Sequence, residues 1–476
     1  MKTVTLFRHQ EDGVNKGISI LLKKRGLGIF FDPGLGKTLT SLTIADYLIE
    51  ENIIDKFIVV CPKTLYGTWQ DQILEHTDYG KAFEYMGDKV GQKGYNDRLS
   101  KVSERIILTN YEAYRSPKLE FVSLLDEILP RSIVILDEST KIKNPTSQQS
   151  KGIKKYLSKA WGKIIMTGTE ITKSPLDLYN QFETLRLGFW GERSWFTFKQ
   201  RYAITEPLYL PGGKTTQKII GFQRIHKLQA LVEPWIVRAK KEDCLDLPAK
   251  ILQNIPVELD PKEWKVYQDL KKRLISILDS GEVISVDQKI ALFMRFRTIT
   301  GGWADTTNMV AMPPFTPSKL RVITDMVDDD DKQAIIWASF THEIIMIEKE
   351  LKSYGKCVTY YGGRSQEDRK NDFDDFVSGK ARFFIANPGT GALGLNLQHC
   401  PLQYFYSLPT KSEDFIQALD RSHRIGSKSD VVYRFLLGEF RGQHSIDWRV
   451  KALLDQSVDL LHAFQTREIR ELISFI

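Results

Sequence analysis

The sequence predicts an α/β protein made of two parallel-sheet lobes in tandem, with helical insertions between them. Two observations carry this. In each half, apolar runs of strand length alternate with helix-period patterns, the mark of parallel strands joined by crossover helices. The run ending at Phe31 also enters a glycine-containing loop, Asp32-Pro33-Gly34-Leu35-Gly36-Lys37-Thr38, that opens onto an apolar-periodic helix (Leu39, Leu42, Leu48, Ile49).

The strands expected in the first half are 27–31, 57–61, 105–109, 132–137 and 163–167. Those of the second half are 333–338, 357–361, 382–386, 402–407 and 431–437. Between about 179 and 318 the pattern is mostly helical, with aromatic clusters at Phe189-Trp190, Trp195-Phe196 and Phe198. Pro211-Gly212-Gly213 reads as a surface turn or hairpin tip, and Asp328 to Asp331 as a solvated loop. Leu247-Pro248-Ala249-Lys250 reads as a hinge, because Pro248 interrupts either regular element. The expected division is 1–245 for a first, nucleotide-binding lobe with a helical extension, 246–317 for a linker and helical insertion, and 318–476 for a second lobe.

At 476 residues, the chain is long enough for two to three domains. Its 42% hydrophobic and 27% charged residues describe a globular protein, and a net charge of +7 is compatible with nucleic acid without establishing it. Cys61, Cys244, Cys357 and Cys400 have no metal-ligand spacing, which argues against a zinc site or a disulfide framework. The N-terminal Met1-Lys2-Thr3-Val4-Thr5-Leu6 meets Arg8-His9-Gln10 too early for a signal segment, and no apolar run is long enough to span a membrane. A cytosolic protein without a membrane partner is expected.

The loop after Phe31 has the chemistry of a phosphate cradle. Gly34 and Gly36 let backbone N–H groups close around phosphate oxygens, Lys37 adds a point charge, and Thr38 offers a hydroxyl to Mg²⁺. The helix beyond it turns its positive end to the same place. Phe31 stands where the general pattern asks for glycine. The run 133–136 ends in Asp137-Glu138, an acid to hold the metal and an acid to activate water. Together these predict binding and hydrolysis of a nucleoside triphosphate. The second half offers Gln417-Ala418-Leu419-Asp420-Arg421-Ser422-His423-Arg424-Ile425-Gly426. Arg421 and Arg424, three apart, share a face if helical, and are candidate arginine fingers.

In order along the chain, these segments resemble the superfamily-two helicases, and within them the Swi/Snf-like DNA-dependent ATPases, from about Leu6 to Leu461. Leu6-Phe7-Arg8-His9-Gln10 with Gly13-Val14 is similar to the family's adenine-reading motif, with Arg8 and Gln10 on the nucleotide. Gly34-Leu35-Gly36-Lys37-Thr38 resembles the first helicase motif. Val59-Val60-Cys61-Pro62-Lys63-Thr64-Leu65 with Trp69, and then Thr109-Asn110-Tyr111-Glu112, are the next matches. Asp137-Glu138-Ser139-Thr140-Lys141-Ile142-Lys143-Asn144 is the most discriminating, because its tail resembles Swi/Snf relatives rather than the DEAD-box RNA helicases. Thr167-Gly168-Thr169 matches the motif that couples hydrolysis to DNA contact. Trp235 to Lys240 followed by Asp246 to Lys250 is similar to the family's link between lobes, and Ser318-Lys319-Leu320 precedes the second lobe. Asn387 to Leu397 and Gln417 to Gly426 resemble the fifth and sixth motifs. Three departures stand out: Asp32-Pro33 where relatives often carry Glu and an apolar residue, Glu170 where Pro follows Thr-Gly-Thr, and Ser427 in place of Gln.

The resemblance implies two RecA-like lobes, ATP and Mg²⁺ as cofactors, and a DNA-stimulated ATPase, translocase or helicase. Glu138, Lys37, Arg421 and Arg424 would be catalytic. Arg8, Gln10, Gly34, Leu35, Gly36, Lys37, Thr38 and Gly394 would bind ATP, and Thr38 and Asp137 the metal. DNA phosphates would meet Lys63, Thr64, Thr109, Asn110, Arg364, Ser365, Gly389, Thr390 and Asn396. Thr167, Gly168, Thr169 and Gln417 would couple the two events, and Trp303 would stack on a base, wedge into a fork, or pack between helices. The expected partner is duplex, forked or branched DNA, bound by a monomer in a bacterial or phage-infected cell. The brevity of the chain suggests the minimal phage or bacterial type, remodelling branched DNA. A duplex translocase without strand separation, or a non-motor nucleotide switch, is the alternative.

Overall fold

The apolar runs of the first half fold as parallel strands. In the computed structural model, residues 4–168, 175–191, 194–210, 214–244, 248–279, 286–302, 304–306, 309–311, 316–391, 395–424, 427 and 429–457 are described. The chain divides into two compact units, Met1–Asp246 and Leu247–Ile476. Trp303 lies outside the described residues, as do Thr169, Glu170, Gly394 and the turn 211–213.

The strands of the first unit are β1 (Gly26–Phe31), β2 (Lys56–Val60), β3 (Phe83–Glu84), β4 (Ile106–Thr109), β5 (Ser132–Leu136), β6 (Gly162–Met166), β7 (Ala203–Leu210), β8 (Lys214–Phe222) and β9 (Ile236–Ala239). Seven of them make a parallel sheet in the order β3-β4-β2-β5-β6-β1-β9. The central strands are buried throughout, as expected of a sheet covered on both faces. β7 and β8 form a separate antiparallel hairpin, so the expectation of a mostly helical stretch after 179 fails there. It fails also at β9, which completes the first sheet. The aromatic clusters are core: Trp190 packs 4.7 Å from Phe198 and 5.6 Å from Phe182, and Phe189 lies 5.1 Å from Trp235. Phe196 alone among them is well exposed.

The second unit holds β10 (Lys250–Glu258), a short hairpin of β11 (Ala304–Thr306) and β12 (Met309–Ala311), then β13 (Ala334–Trp337), β14 (Cys357–Tyr360), β15 (Phe383–Ala386), β16 (Leu402–Phe405), β17 (Val431–Phe440) and β18 (Gln443–His444). Its sheet runs β10-β17-β16-β13-β15-β14 with every neighbour parallel, and β18 folds back on β17. Within 246–317, β10 lies along β17 over nine paired residues. Helices Pro261–Asp279 and Val286–Thr300 join the same core, where Trp264 stacks 5.0 Å from Tyr267 and 5.5 Å from Phe440. The architecture is therefore α/β with two parallel-sheet lobes. Among the described residues no helix is long and apolar enough to cross a membrane, and all four cysteines are free thiols.

Packing around two glycines separates a tight contact from an open one. A Cβ at Gly152, inside the helix Gln148–Tyr156, would sit 1.8 Å from the Tyr114 carbonyl oxygen. A Cβ at Gly67, in the helix Tyr66–His76, would meet nothing within 4 Å. Gly152→Ala is expected to destabilise the first unit by about 2 kcal/mol or more, since backbone must move. Gly67→Ala is expected to be neutral or slightly stabilising, by up to about 1 kcal/mol. Denaturant midpoints of the two variants check the contrast, and equal midpoints would contradict the packing described.

Candidate active site

The site begins where β1 ends. Phe31 is fully buried, and its ring fills the space over Gly13 in helix α1 (Arg8–Lys24), where a Cβ would lie 2.7 Å from Cζ. This explains an aromatic residue where the general loop pattern has glycine. After Phe31 the chain turns through Gly34 and Gly36, at φ +87° and +83°, before helix α2 (Lys37–Glu50) starts. Both values lie in the left-handed region that glycine adopts without cost. Gly36 is fixed twice, because a Cβ there would also lie 2.2 Å from Gln10 Nε2.

Four groups hold the loop in shape. Gln10, buried on α1, donates through Nε2 to Leu35 O at 3.2 Å and accepts from Phe7 N at 3.0 Å. The amide assigned to a base edge is thus engaged with the loop. His9 Nε2 lies 3.0 Å from the same Leu35 O, its ring 6.0 Å from both Phe7 and Phe31, and Arg8 is exposed beside them. Lys37 Nζ donates to Phe31 O at 2.9 Å, and Asp32 Oδ2 accepts from Lys241 N at 2.9 Å. Thr38 is partly exposed on the first turn of α2, its carbonyl accepting from Ser41 Oγ at 2.8 Å.

Strand order brings the other motifs to the same edge. β6 pairs with β1, so Thr167-Gly168 emerges next to the loop, and a Cβ on Gly168 would stand 3.0 Å from Pro33 and 3.5 Å from Lys37 Nζ. β5 pairs with β6 and delivers Asp137-Glu138. Asp137 is buried and its carboxylate is oriented on both oxygens: Trp69 Nε1 donates to Oδ2 at 2.9 Å and Glu138 N to Oδ1 at 3.0 Å. Tyr111 OH donates to Asp137 O at 2.7 Å. Burial, and then the Asp137 charge, push the Tyr111 phenol and the Cys61 thiol well above their ordinary pKa values, so both stay neutral around it. Glu138 sits at φ 52°, ψ 53°, a left-handed conformation that costs a non-glycine residue on the order of 1 kcal/mol. Ser139 Oγ anchors the turn after Glu138, donating to Met166 O at 3.1 Å and Gln181 Oε1 at 2.5 Å. The sequence marks Trp69 only as part of a motif and does not show its contact with Asp137. An indole packs into almost any core, so only the fold exposes that role.

Among the described residues, no group of three or more His, Cys, Asp or Glu is placed to hold a metal. Asp137 offers a carboxylate just past the end of β5 and Thr38 a hydroxyl on the first turn of α2, hard-oxygen donors of the kind that suit Mg²⁺.

The segments assigned to DNA contact differ in exposure. Lys63 and Thr64 are exposed on the one-turn helix Lys63–Leu65, while Thr109 is fully buried at the end of β4. Asn110, partly buried, caps the next turn by accepting from Ala113 N at 2.9 Å. In the second unit Arg364 is ion-paired with Asp372 at 2.6 Å, and Ser365 caps the helix Gln366–Val377 through Asp368 N at 3.1 Å. Gly389 and Thr390 lie in the turn Pro388–Gly391, where Asn387 Oδ1 accepts from Gly389 N at 2.9 Å, and Asn396 is exposed.

The helix Ser412–Leu419 carries buried Gln417 but ends before the two arginines. The expectation that Arg421 and Arg424 share a helical face is therefore corrected: they lie in an irregular turn. That turn is held by Ser422 Oγ donating to Leu397 O at 2.9 Å, Arg421 Nη1 to Leu395 O at 3.3 Å, and Arg424 N to Ser427 Oγ at 3.1 Å. Ser427 also donates to Ser422 O, which gives the departure from Gln a local purpose. Burial lowers the Arg424 guanidinium pKa, with the Asp420 charge opposing it, and Asp420 is itself paired with Lys250 at 2.9 Å.

The profile of the SNF2-related domain matches residues 9–300, and that of the helicase conserved C-terminal domain matches 318–426. The chain belongs to the SNF2-related family. Its two matched domains are those of an ATP-hydrolysing, helicase-like enzyme. Curated SNF2-type relatives include the TATA-binding protein-associated factor MOT1 of Saccharomyces cerevisiae, 25% identical across 91% of this chain and 26% of that protein. An uncharacterized ATP-dependent helicase of Mycoplasma pneumoniae is 24% identical over 91% of this chain and 40% of that protein. The ISWI chromatin-remodeling complex ATPase ISW1 of S. cerevisiae is 24% identical over 90% and 38%. The chain thus spans between about a quarter and two fifths of the length of these relatives. Among solved structures, the SWI2/SNF2 ATPase core of Sulfolobus solfataricus in complex with dsDNA aligns at 20% identity, covering 99% of this chain and 97% of that one, with a TM-score of 0.43.

At the C-terminal edge of the second sheet a buried charged cluster yields a pH prediction. Glu343 is fully buried, accepts from Ser407 Oγ, and has Arg297 and Lys319 nearby, with Lys319 paired to Asp447 at 2.7 Å. Burial pushes the Glu343 carboxyl up to about 7 against the pull of Ser407, Lys319 and Arg297. The native state holds that proton more tightly than the unfolded chain. Its contribution to stability is complete below the ordinary carboxyl pKa and is lost as pH rises through about 7. Thermal midpoints from about pH 5 to about pH 8 are expected to fall more steeply for the native chain than for Glu343→Gln. Parallel curves would contradict this.

Proposed function

We propose that this SNF2-family chain is an ATP-driven motor on DNA, hydrolysing ATP to ADP and phosphate with Mg²⁺ in a DNA-stimulated manner. The reading extends to a monomeric enzyme of phage or bacterial type acting on duplex, forked or branched DNA. The observation that carries it is the shared edge of three adjacent strands, which holds the glycine loop with Lys37, then Thr167-Gly168, then Asp137-Glu138. Loop N–H groups and Lys37 bind the β and γ phosphates. Mg²⁺, held through Thr38 and Asp137, would neutralise charge on those oxygens. Glu138 orients and deprotonates the attacking water, while Trp69 and Tyr111 keep Asp137 fixed beside it. Arg421 and Arg424 are assigned the role of supplying transition-state charge. Arg8 and Gln10 are assigned to the base, Gln10 exchanging its bond to Leu35 O for the adenine edge, and Gly394 is assigned to ATP.

On the DNA side, Lys63, Thr64, Asn110, Arg364, Ser365, Gly389, Thr390 and Asn396 contact phosphates, which suits sequence-blind tracking. Thr109 is buried, so Asn110 makes the contact of that segment. Thr167, Gly168, Thr169 and Gln417 link these contacts to turnover. Repeated cycles of ATP binding and hydrolysis advance the protein along the duplex.

Steady-state ATPase without nucleic acid and with single-stranded DNA, duplex, forked DNA and duplex RNA tests the reading. Strong stimulation by DNA and little by RNA is expected. Equal rates in all tubes would leave a nucleotide switch. Triplex displacement without product from a labelled fork or four-way junction would leave a duplex translocase.

Glu138→Gln keeps the side-chain shape but removes the base. Turnover is expected to fall about a hundredfold or more while Mg²⁺-ATP still binds. Single-turnover hydrolysis and nucleotide binding, measured side by side, check this, and normal hydrolysis would reject the role of Glu138.

A further inference from the structure

Asp32, at the start of the phosphate loop, ties three parts of the first unit together. Its N–H donates to Ala239 O at 3.0 Å, its carbonyl accepts from Leu35 N at 3.2 Å, and its carboxylate accepts from Lys241 N at 2.9 Å. The first and third bonds lead to the end of β9 and the short helix Lys241–Cys244, from which the chain continues into the second unit. The second closes the loop itself. Its neighbour Phe31 offers the carbonyl on which the Lys37 ammonium rests at 2.9 Å. The peptide group joining Phe31 to Asp32 thus carries Lys37 on its carbonyl and Ala239 O on its N–H, so a change in Lys37 on phosphate binding acts on the same peptide that grips the exit of β9.

We propose that Asp32 is a positioning residue that makes the phosphate loop and the β9 exit move as one body, passing the state of the nucleotide to the chain segment entering the second unit. The proposal rests on the reading of the loop as the ATP site. The working part is the hydrogen bond accepted from Lys241 N, and Asp is not required for its charge. An Asn side-chain carbonyl can accept the same bond, whereas Ala cannot. Proline at 241 removes the donor and leaves Asp32 in place, at a first helical position where proline is tolerated.

The test is a double-mutant cycle on the full chain, with ATP turnover read with and without duplex DNA. Asp32→Ala and Lys241→Pro are each expected to lower kcat about tenfold, the worth of one hydrogen bond of roughly 1.4 kcal/mol. KM for ATP should move less than about twofold, because loop N–H groups that bind phosphate are retained. The double variant should be no slower than either single one, and Asp32→Asn should recover most of the loss. A loosened loop would instead raise KM along with the fall in kcat, and overturn the proposal. So would additive effects in the cycle, or Asn as poor as Ala. Native protein without ATP turnover would reject the ATP-site reading itself, whereas normal native turnover with an additive cycle rejects only the role of Asp32.

Discussion

The position of β1 decides the rest of the first unit. It is buried along its whole length and bonded on both sides, to β6 and to β9, so its backbone has no slack. The chain must leave the sheet at Phe31, and the ring of that residue is locked over Gly13. From this fixed exit, neighbouring strands set every other placement. β6 puts Gly168 beside Lys37, β5 puts Asp137-Glu138 one strand farther, and β9 puts Lys241 against Asp32 on the opposite side. Ligand sites lie outside the carboxyl ends of strands in open parallel sheets because only there do successive loops converge.

The two sheet edges use polar groups differently. In the first, Asp137 is buried at the strand end, with a neutral indole on its carboxylate and a phenol on its carbonyl. In the second, Arg297, Lys319, Glu343 and Asp447 are buried together, where each needs the others to offset desolvation. One arrangement orients a carboxylate with neutral donors. The other uses charges to fix the loop after β16, through Lys319 bonded to Tyr406 O and Arg297 to Leu408 O.

Much of this was legible in the sequence. The five strands expected in the first half lie within a residue of their observed ends, because buried parallel strands read as unbroken apolar runs. β10 escaped notice for the opposite reason. It is an edge strand, mostly exposed, with Gln253 and Asn254 at its centre and Pro256 near its end, a residue that only an edge tolerates. The loop and the acidic pair were legible because their chemistry is local. The bonds that shape them were not: Gln10 to Leu35, Trp69 to Asp137 and Asp32 to Lys241 join residues far apart in the chain. The turn at Arg421 to Arg424 shows a further limit, since a spacing of three suits a helix but does not say where that helix stops.

The pairing of early strands with late ones has a consequence for how the chain is made. β1 finds its partner β9 only after residue 239 has left the ribosome, and β10 must wait for β17, which begins at Val431. Both ladders close loops of great length, the kind of contact that slows folding and exposes edges meanwhile. During synthesis the first sheet can close while the second is still untranslated. The nascent second unit then carries β10 without its neighbour until the strand that begins at Val431 has emerged, and for that interval its edge is open to mispairing.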